Sequence, residues 1–301
     1  MSRGSSVEAE VDARLSAALA RLAARASEAR SQPKQPEEPP ASDRTLFLPG
    51  LHNFMRAMPN HIARSSLFAP VARGRKRMLK DVVLVSRIDA VVKYWGEQLD
   101  EPMADVWMQA LHEASKQPLG KPVLINRAEF LKAIGRQTGN YEYQWLNRAM
   151  QTLSFAMLVI EIMTPQGKPK LSVGKNSALH MIDSFEFDDV AGSYALRIDP
   201  RWRQLFGNAE FARIDWRKRL LFGPHQDMAK ALQRLVATSK DSVQPHRLDW
   251  LKAKLEYGGR MRDFIEAIHR AMRELERLEI ICAGRIETST KGHLQVVWTR
   301  L

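Results

Sequence analysis

Two stretches of the chain, RAEFLKA at residues 127–133 and RLDWLKA at residues 247–253, share one pattern of charged and apolar side chains. A second matched pair follows downstream, Arg148-Ala149-Met150 and Arg270-Ala271-Met272. The first pair is displaced by 120 positions and the second by 122. Two matches in the same order and nearly the same register predict a duplicated structural unit.

Each copy has the same predicted order of elements: a short helix, a glycine-containing turn, a longer helix and a β-hairpin. In the first copy the turn is 135–140, the longer helix 141–154 and the strands 156–163 and 179–187. In the second copy the turn is 258–259, the longer helix 260–277 and the strands 279–287 and 294–299. A helix-turn-helix followed by a β-hairpin is a winged helix. The sequence therefore predicts an α+β fold with two tandem winged-helix domains.

The regions outside the repeat set the expected domain limits. Residues 1–45 are predicted to be a flexible tail ending in a proline-rich linker, because apolar content there is too low to pack. Val7, Val11, Leu15 and Leu19 recur at helical spacing. They favour a fraying, partly helical segment, with a self-association helix as the alternative. The two winged-helix domains are expected at 46–190 and 191–301, and the first should also contain a strand at 81–92.

The charge indicates a polyanionic partner. The formal net charge is +12, and the tail carries as many acidic as basic side chains, so the excess belongs to residues 46–301. A single cysteine, Cys282, allows neither an internal disulfide nor a zinc cage. The sequence has no run of 18 apolar residues and no signal-peptide core, so we expect a cytoplasmic protein with no membrane partner.

The longer helix of the second copy divides into two faces. Phe264, Ile268, Met272 and Leu275 form an apolar stripe. Arginine pairs bidentately with guanine or phosphate, so the opposite face is predicted to contact DNA. The predicted contacts are Arg260, Arg262, Glu266, Arg270 and Arg273, with Arg277 at the end of the same face. The alternative is a solvated helix stabilised by Glu–Arg pairs.

The corresponding helix of the first copy has amides and one tyrosine on its outer face. Asparagine and glutamine pair bidentately with adenine. The predicted DNA contacts here are Asn140, Tyr143, Gln144, Asn147 and Arg148.

Basic loops are the predicted phosphate contacts. One cluster contains Arg73, Arg75, Lys76 and Arg77; another contains Arg217 and Lys218 beside Trp216; Lys291 lies between the last two strands. The alternative is that these side chains are simply solvated.

Sequence signatures of enzymes are missing. There is no His-x-His pair for a nicking enzyme, no P-loop and no Cys/His set for zinc. We therefore expect no catalytic residue, no metal site and no cofactor.

The segment MRAMPN at residues 55–60, continuing as Ala63-Arg64-Ser65 and Leu67-Phe68, resembles the TrfA-type plasmid replication initiators. The similarity extends at a lower level over residues 46–301. The resemblance implies two winged-helix domains that bind direct repeats, called iterons, in the double-stranded DNA of a plasmid origin. It also implies melting of a neighbouring AT-rich segment, whose single strands are a further candidate ligand, and recruitment of the host helicase and sliding clamp.

Two further implications concern assembly. Members of this family tend to bind DNA as monomers, with homodimers as an inactive or autoregulatory form. The family's clamp-binding pentapeptide begins with Gln and ends in Leu-Phe; here the equivalent segment, residues 43–47, keeps Leu46-Phe47 but lacks the Gln. Leu46 and Phe47 are therefore candidate clamp contacts, or else the first residues of the domain core.

Three hypotheses follow. The leading one is an iteron-binding replication initiator. A winged-helix transcriptional repressor is the alternative with the same DNA-binding chemistry, and a primase or nuclease-like replication enzyme is the alternative from another class.

Overall fold

The computed structural model of the chain describes Leu48 and residues 52–71, 76–188 and 190–301. The predicted tail and linker, Leu46, Phe47, Arg73 and Arg75 lie outside these ranges. Residues 46–301 form one compact unit, and its described part is a mixed α/β fold with several sheets. No helix in the described ranges is both long and apolar enough to cross a membrane.

Strands and short helices come before the first copy of the repeat. They are β1 Met55–Pro59, α1 Asn60–Ala63, β2 Met78–Leu84, β3 Ala90–Glu97 and α2 Glu101–Ala114. The side chain of Asp100 accepts a hydrogen bond from the backbone N–H of Met103, and Pro102 occupies the first turn, which together start α2.

The first copy and the segments after it follow in order. They are β4 Val123–Asn126, α3 Arg127–Ala133, α4 Asn140–Phe155, β5 Met157–Met163, β6 Pro169–Val173, β7 Leu179–His180, β8 Ser184–Asp188, β9 Ser193–Arg197, a 3-10 helix Pro200–Ala209, β10 Phe211–Asp215 and α5 Trp216–Leu220. Asn126 caps α3, since its side chain accepts hydrogen bonds from the N–H groups of Ala128 and Glu129 at 2.9 and 3.2 Å.

The second copy ends the chain. Its elements are α6 Asp227–Val236, β11 Val243–Arg247, α7 Leu248–Lys254, α8 Met261–Arg277, β12 Ile281–Thr288 and β13 Leu294–Arg300.

The two copies share one topology. The sheet of the first copy has the order β4-β9-β8, and that of the second has the order β11-β13-β12. In both, the strand before the short helix pairs antiparallel with the last strand of the copy, which also pairs with the strand before it. The repeat seen in the sequence is therefore a repeat of the β-α-α-β-β arrangement.

The hairpin of the first copy differs from the prediction. The strand expected at 156–163 is β5, which lies between β3 and β6 in a five-stranded sheet. It meets the expected 179–187 region only at β7, through Met157–His180 and Leu158–Leu179. The hairpin that completes the copy is β8–β9, because β5, β6 and β7 are inserted between it and α4.

The strand predicted at 81–92 is two strands. β2 ends at Leu84 and β3 begins at Ala90. In the turn between them, Arg87 pairs with both carboxylate oxygens of Asp89 at 2.8 and 2.7 Å, and Ser86 donates to the carbonyl of Ala90 at 2.6 Å. These local bonds stabilise a reversal that apolar alternation does not reveal.

The segment that resembles the initiator family, residues 55–60, is part of the folded N-terminal region. Strand β1 pairs antiparallel with β10, from Met55–Asp215 to Pro59–Phe211. The buried guanidinium of Arg56 donates to Gln109 Oε1 at 2.8 Å and lies 4.9 Å from the ring centre of Trp216.

Buried apolar side chains form two clusters. One extends from Leu48 to Trp216 and the other from Phe222 to Trp298. We call the parts built on them the N-terminal lobe and the C-terminal lobe. Helix α5 connects the two.

Candidate DNA-binding surface

Helix α8 has one buried face and one charged face, as its sequence predicts. Phe264, Ile268 and Met272 are buried where α8 packs against α6 and β12. The predicted contacts are all exposed on the other side: Arg260, Arg262, Glu266, Arg270 and Arg273. The helix therefore presents a row of long polar side chains to solvent.

Near the start and at the end of this row the arginines form ion pairs, whereas the two arginines between them form none with any described residue. Arg262 pairs with Asp263 at 3.4 Å, and Arg277 with Glu274 at 2.8 Å. Among the described residues, Arg270 and Arg273 have no carboxylate within ion-pair distance. These two arginines line a groove of about 700 Å³ beside the start of α6. Their guanidinium groups are thus available to an incoming acceptor.

Helix α4 exposes fewer of its predicted contacts. Asn140, Gln144 and Arg148 are exposed, whereas Asn147 and Tyr143 are half-buried. Among the described residues Arg148 forms no ion pair, and it lines a groove of about 620 Å³. The amide and arginine side chains of α4, rather than its tyrosine, are the groups best placed to reach outward.

Tyr143 is covered by a residue that sequence reasoning did not select. The guanidinium of Arg127 lies 4.2 Å from the Tyr143 ring centre and 5.2 Å from that of Phe187. Within the turn, Arg136 makes a similar contact: it lies 3.7 Å from the Trp145 ring centre and pairs with Glu142 at 2.6 Å. Neither contact has a signal in the sequence, because each joins residues that the turn between α3 and α4 brings together.

The two turns before the long helices use different residues. Gly135, after α3, has φ +72°, in the left-handed region that glycine favours. After α7 the equivalent position is Glu256, with φ +49°. The predicted turn glycines, Gly258 and Gly259, come two and three residues later and do not have positive φ.

The hairpin tips differ in charge. Lys291 is exposed in the turn between β12 and β13, beside Gly292 with φ +78°. In the β8–β9 tip, the carboxylate of Asp188 accepts bonds from Val190 and Ala191 N–H at 2.9 and 3.0 Å. A cationic tip suits phosphate and an anionic tip repels it.

The predicted basic loops are mostly engaged in the protein. Lys76 pairs with Asp100 at 2.9 Å, and Arg77 pairs with Glu256 at 3.0 Å. Lys218 donates to the carbonyl of Glu279 at 2.7 Å.

Arg217 is the most exposed member of its cluster. It pairs weakly with Asp215 at 3.3 Å and lies 4.5 Å from the Phe54 ring centre, with its side chain 70% exposed. The loop cations of the described residues are therefore not gathered into one surface. In the described ranges no group of three or more His, Cys, Asp or Glu side chains could hold a metal ion.

No known protein-family model matches the chain. Two solved structures of domains 2 and 3 of RctB are similar, with TM-scores of 0.46 and 0.43 at 13% and 11% identity. They cover 81% and 80% of this chain and 98% and 97% of theirs.

The resemblance to a plasmid replication initiator is confirmed at the level of sequence. The chain is 23% identical to the plasmid replication initiator protein TrfA of Escherichia coli over 232 residues. The match covers 73% of this chain and 56% of TrfA, so the chain spans little more than half the length of that relative.

Proposed function

We propose that the chain is a non-enzymatic plasmid replication initiator that binds direct repeats in double-stranded origin DNA. The observation that carries the proposal is the duplicated β-α-α-β-β arrangement, each copy presenting an exposed polar helix. In this proposal each copy is a winged helix, with α4 and α8 as the DNA-reading helices. The similarity to TrfA supports replication as the setting, in the cytoplasm.

The order of elements supports the winged-helix assignment. In the C-terminal lobe, α6 packs against α8, α7 precedes it, and β12–β13 follows as a hairpin. In the N-terminal lobe, α2, α3 and α4 take the corresponding places, and β8–β9 is the hairpin. We keep two domains in the proposal and place their boundary between Trp216 and Phe222, where the two core clusters separate.

The two copies contribute unequally in this proposal. Helix α8 supplies Arg270 and Arg273, which form no ion pair with any described residue, and its hairpin supplies Lys291 to the backbone. Helix α4 supplies Asn140, Gln144 and Arg148, while its hairpin tip is acidic. The C-terminal lobe should therefore provide most of the electrostatic affinity, and the N-terminal lobe mainly base discrimination.

Melting of the AT-rich segment and recruitment of host helicase and sliding clamp are also part of the proposal. They rest on the family resemblance, as does a homodimer as the inactive form. Leu46 and Phe47 remain the proposed clamp contacts. Arg73 and Arg75 remain proposed phosphate contacts from the same basic loop as Lys76 and Arg77.

Permanganate footprinting on a supercoiled plasmid carrying the repeats tests the proposal. The wild-type chain should protect the repeats and make thymines in the neighbouring AT-rich segment reactive. A transcriptional repressor would protect the repeats without that reactivity. The double variant R270A/R273A should lose both effects, whereas Arg203→Ala, at an exposed arginine of the 3-10 helix, should keep both. Metal-dependent nicking or primer synthesis would overturn the non-enzymatic part.

A further inference from the structure

Buried charged side chains join the two lobes. Glu101 of α2 and Arg234 of α6 form an ion pair in which both side chains are 0% exposed. Arg219 of α5 contacts the same Glu101 carboxylate at 2.7 Å and Asp105 at 2.8 Å. Lys230 of α6 completes the group with a 2.8 Å contact to Asp105. We call these five residues the interlobe ion network.

The network crosses from one core to the other. Glu101 and Asp105 belong to a helix of the N-terminal lobe, whereas Lys230 and Arg234 belong to the first helix of the C-terminal lobe. Arg234 also donates to the carbonyl of Phe68 at 2.8 Å. Hydrogen bonds between buried charges are directional, so this arrangement favours one relative orientation of α2 and α6.

The Asp105 carboxylate stays ionised despite burial. Burial raises the pKa of Asp105, but Arg219 and Lys230 outweigh it and hold that pKa below its ordinary value. Burial lowers the pKa of Arg219, but the carboxylates of Asp105 and Glu101 outweigh it and hold that pKa above its ordinary value. The ionised forms of Asp105 and Arg219 therefore stabilise each other.

Contacts at the edge of the interface support the same orientation. Arg64 donates to Thr238 Oγ1 at 2.8 Å, and Lys218 donates to the carbonyl of Glu279 at 2.7 Å. Glu256, at the left-handed turn before α8, accepts from Arg77 at 3.0 Å. The last contact connects the turn that sets the start of α8 directly to the N-terminal lobe.

We infer that Glu101 is a positioning residue whose buried ion pairs fix α8 relative to α4, and so fix the spacing between the two halves of the DNA site. This rests on the proposed function, in which α4 and α8 enter successive parts of one duplex. Each base pair inserted between the halves moves the second half by about 3.4 Å and turns it by about 35°. A rigid pair of reading helices cannot follow that change, whereas a loosened pair can.

Glu101→Gln is the test variant, because it keeps the side-chain shape and removes the charge that Arg219 and Arg234 share. Asp199→Asn is the matched control. Asp199 is also buried and pairs with Arg201 at 2.9 Å, but both residues lie inside the N-terminal lobe. Asp105→Asn, which removes only the contacts to Arg219 and Lys230, serves if Glu101→Gln fails to fold.

The first measurement needs no DNA. Spin labels at Gln151→Cys on α4 and His269→Cys on α8, with Cys282→Ser, report the distance between the helices. The wild-type background and Asp199→Asn should give one narrow distance distribution, and Glu101→Gln a broad one. An equally narrow distribution in Glu101→Gln would overturn the inference.

The second measurement uses a duplex selected from random DNA by the full chain, with one to five base pairs inserted between its protected halves. Insertion of one base pair should weaken the binding of the wild type and of Asp199→Asn at least about tenfold. The same insertion should weaken the binding of Glu101→Gln clearly less. The same spacing dependence in all three proteins would overturn the inference but leave the proposed function intact. If the wild type selects no sequence, the proposed function is wrong. The spin-label distances then still test whether Glu101 fixes the relative position of α4 and α8.

Discussion

The guanidinium of Arg127, at the start of α3, lies 4.2 Å from the centre of the Tyr143 ring on α4. The contact joins the start of α3 to α4 in the N-terminal lobe and stabilises the packing of these two helices. Tyr143 is therefore bound to its own domain more than to solvent.

This contact separates Tyr143 from its neighbour Gln144. Tyr143→Phe keeps the ring under Arg127, so DNA discrimination should be unchanged. Gln144→Ala removes an exposed amide and should cost about 1–3 kcal/mol of discrimination at one base pair. Competition binding with single-base variants of the selected site measures both. A specificity change in Tyr143→Phe larger than that in Gln144→Ala would contradict this assignment.

Arg270 and Arg273 should carry base discrimination in the C-terminal lobe. Replacing either with Ala is expected to cost about 1–3 kcal/mol of discrimination, since neither guanidinium has another partner among the described residues. Arg203→Ala removes an equal charge from the 3-10 helix and is the control. If specificity is the same in all three variants, the exposed face of α8 does not read bases.

Lys291 should act on the backbone instead. Lys291→Ala is expected to weaken binding to every sequence alike and to lower the slope of log affinity against log salt by about one. Lys218→Ala is the contrast, because its ammonium is already bonded to the carbonyl of Glu279. Titrations at several salt concentrations give both slopes. An unchanged slope in Lys291→Ala would remove the β12–β13 hairpin from the interface.

Lys254 should make stability depend on pH. Its side chain is fully buried with no hydrogen-bond partner in the described part of the chain, and burial, with the charge of Arg234, lowers its pKa from 10.5 to about 7. Between pH 7 and pH 9 the unfolded chain keeps a proton that the folded chain has released. The free energy of unfolding should therefore rise with pH in this window, by about 2 kcal/mol from this group.

Lys254→Met removes that contribution while keeping an unbranched side chain of similar length. Urea unfolding of both proteins at pH 7 and pH 9 measures the difference. Other groups titrate alike in the two proteins, so only the difference between their pH responses counts. An equal response in both would show that Lys254 does not release its proton in this range.

Gly174, after β6, should resist substitution. Its φ is +90°, and a Cβ there would lie 2.2 Å from the carbonyl oxygen of Leu158. Gly174→Ala is expected to cost about 3 kcal/mol or more. Gly167→Ala is the control, because that residue has φ +74° but open space around it, and it should cost about 1 kcal/mol. Thermal unfolding compares them; equal losses would mean that backbone crowding at Gly174 relaxes freely.

The helices were predictable because their signals are local. Apolar spacing located α4 and α8. The hairpin of the first copy was not predictable, because the insertion of β5, β6 and β7 separates β8 from α4. Which strand pairs with which depends on the whole lobe rather than on any one segment.

The charged residues show the same limit. The sequence places Arg217, Lys218 and Arg219 in one basic run, yet Arg219 is buried against Glu101 and Asp105, residues more than 110 positions earlier. A run of like charges predicts exposure to solvent or contact with a polyanion only where the fold brings no distant carboxylate against it. Similarly, Glu256 takes the left-handed turn position that Gly258-Gly259 suggested.

The pairing of β1 with β10 has a consequence for biosynthesis. Met55 leaves the ribosome 160 residues before its partner Asp215, so the N-terminal lobe cannot close until almost three quarters of the chain has been made. Asp215 also starts α5, and Arg219 follows at once. Glu101 and Asp105 are therefore synthesised long before Arg219 and Arg234, the arginines that pair with them. Ribosome-bound chains that end before and after these two arginines should differ sharply in protease resistance.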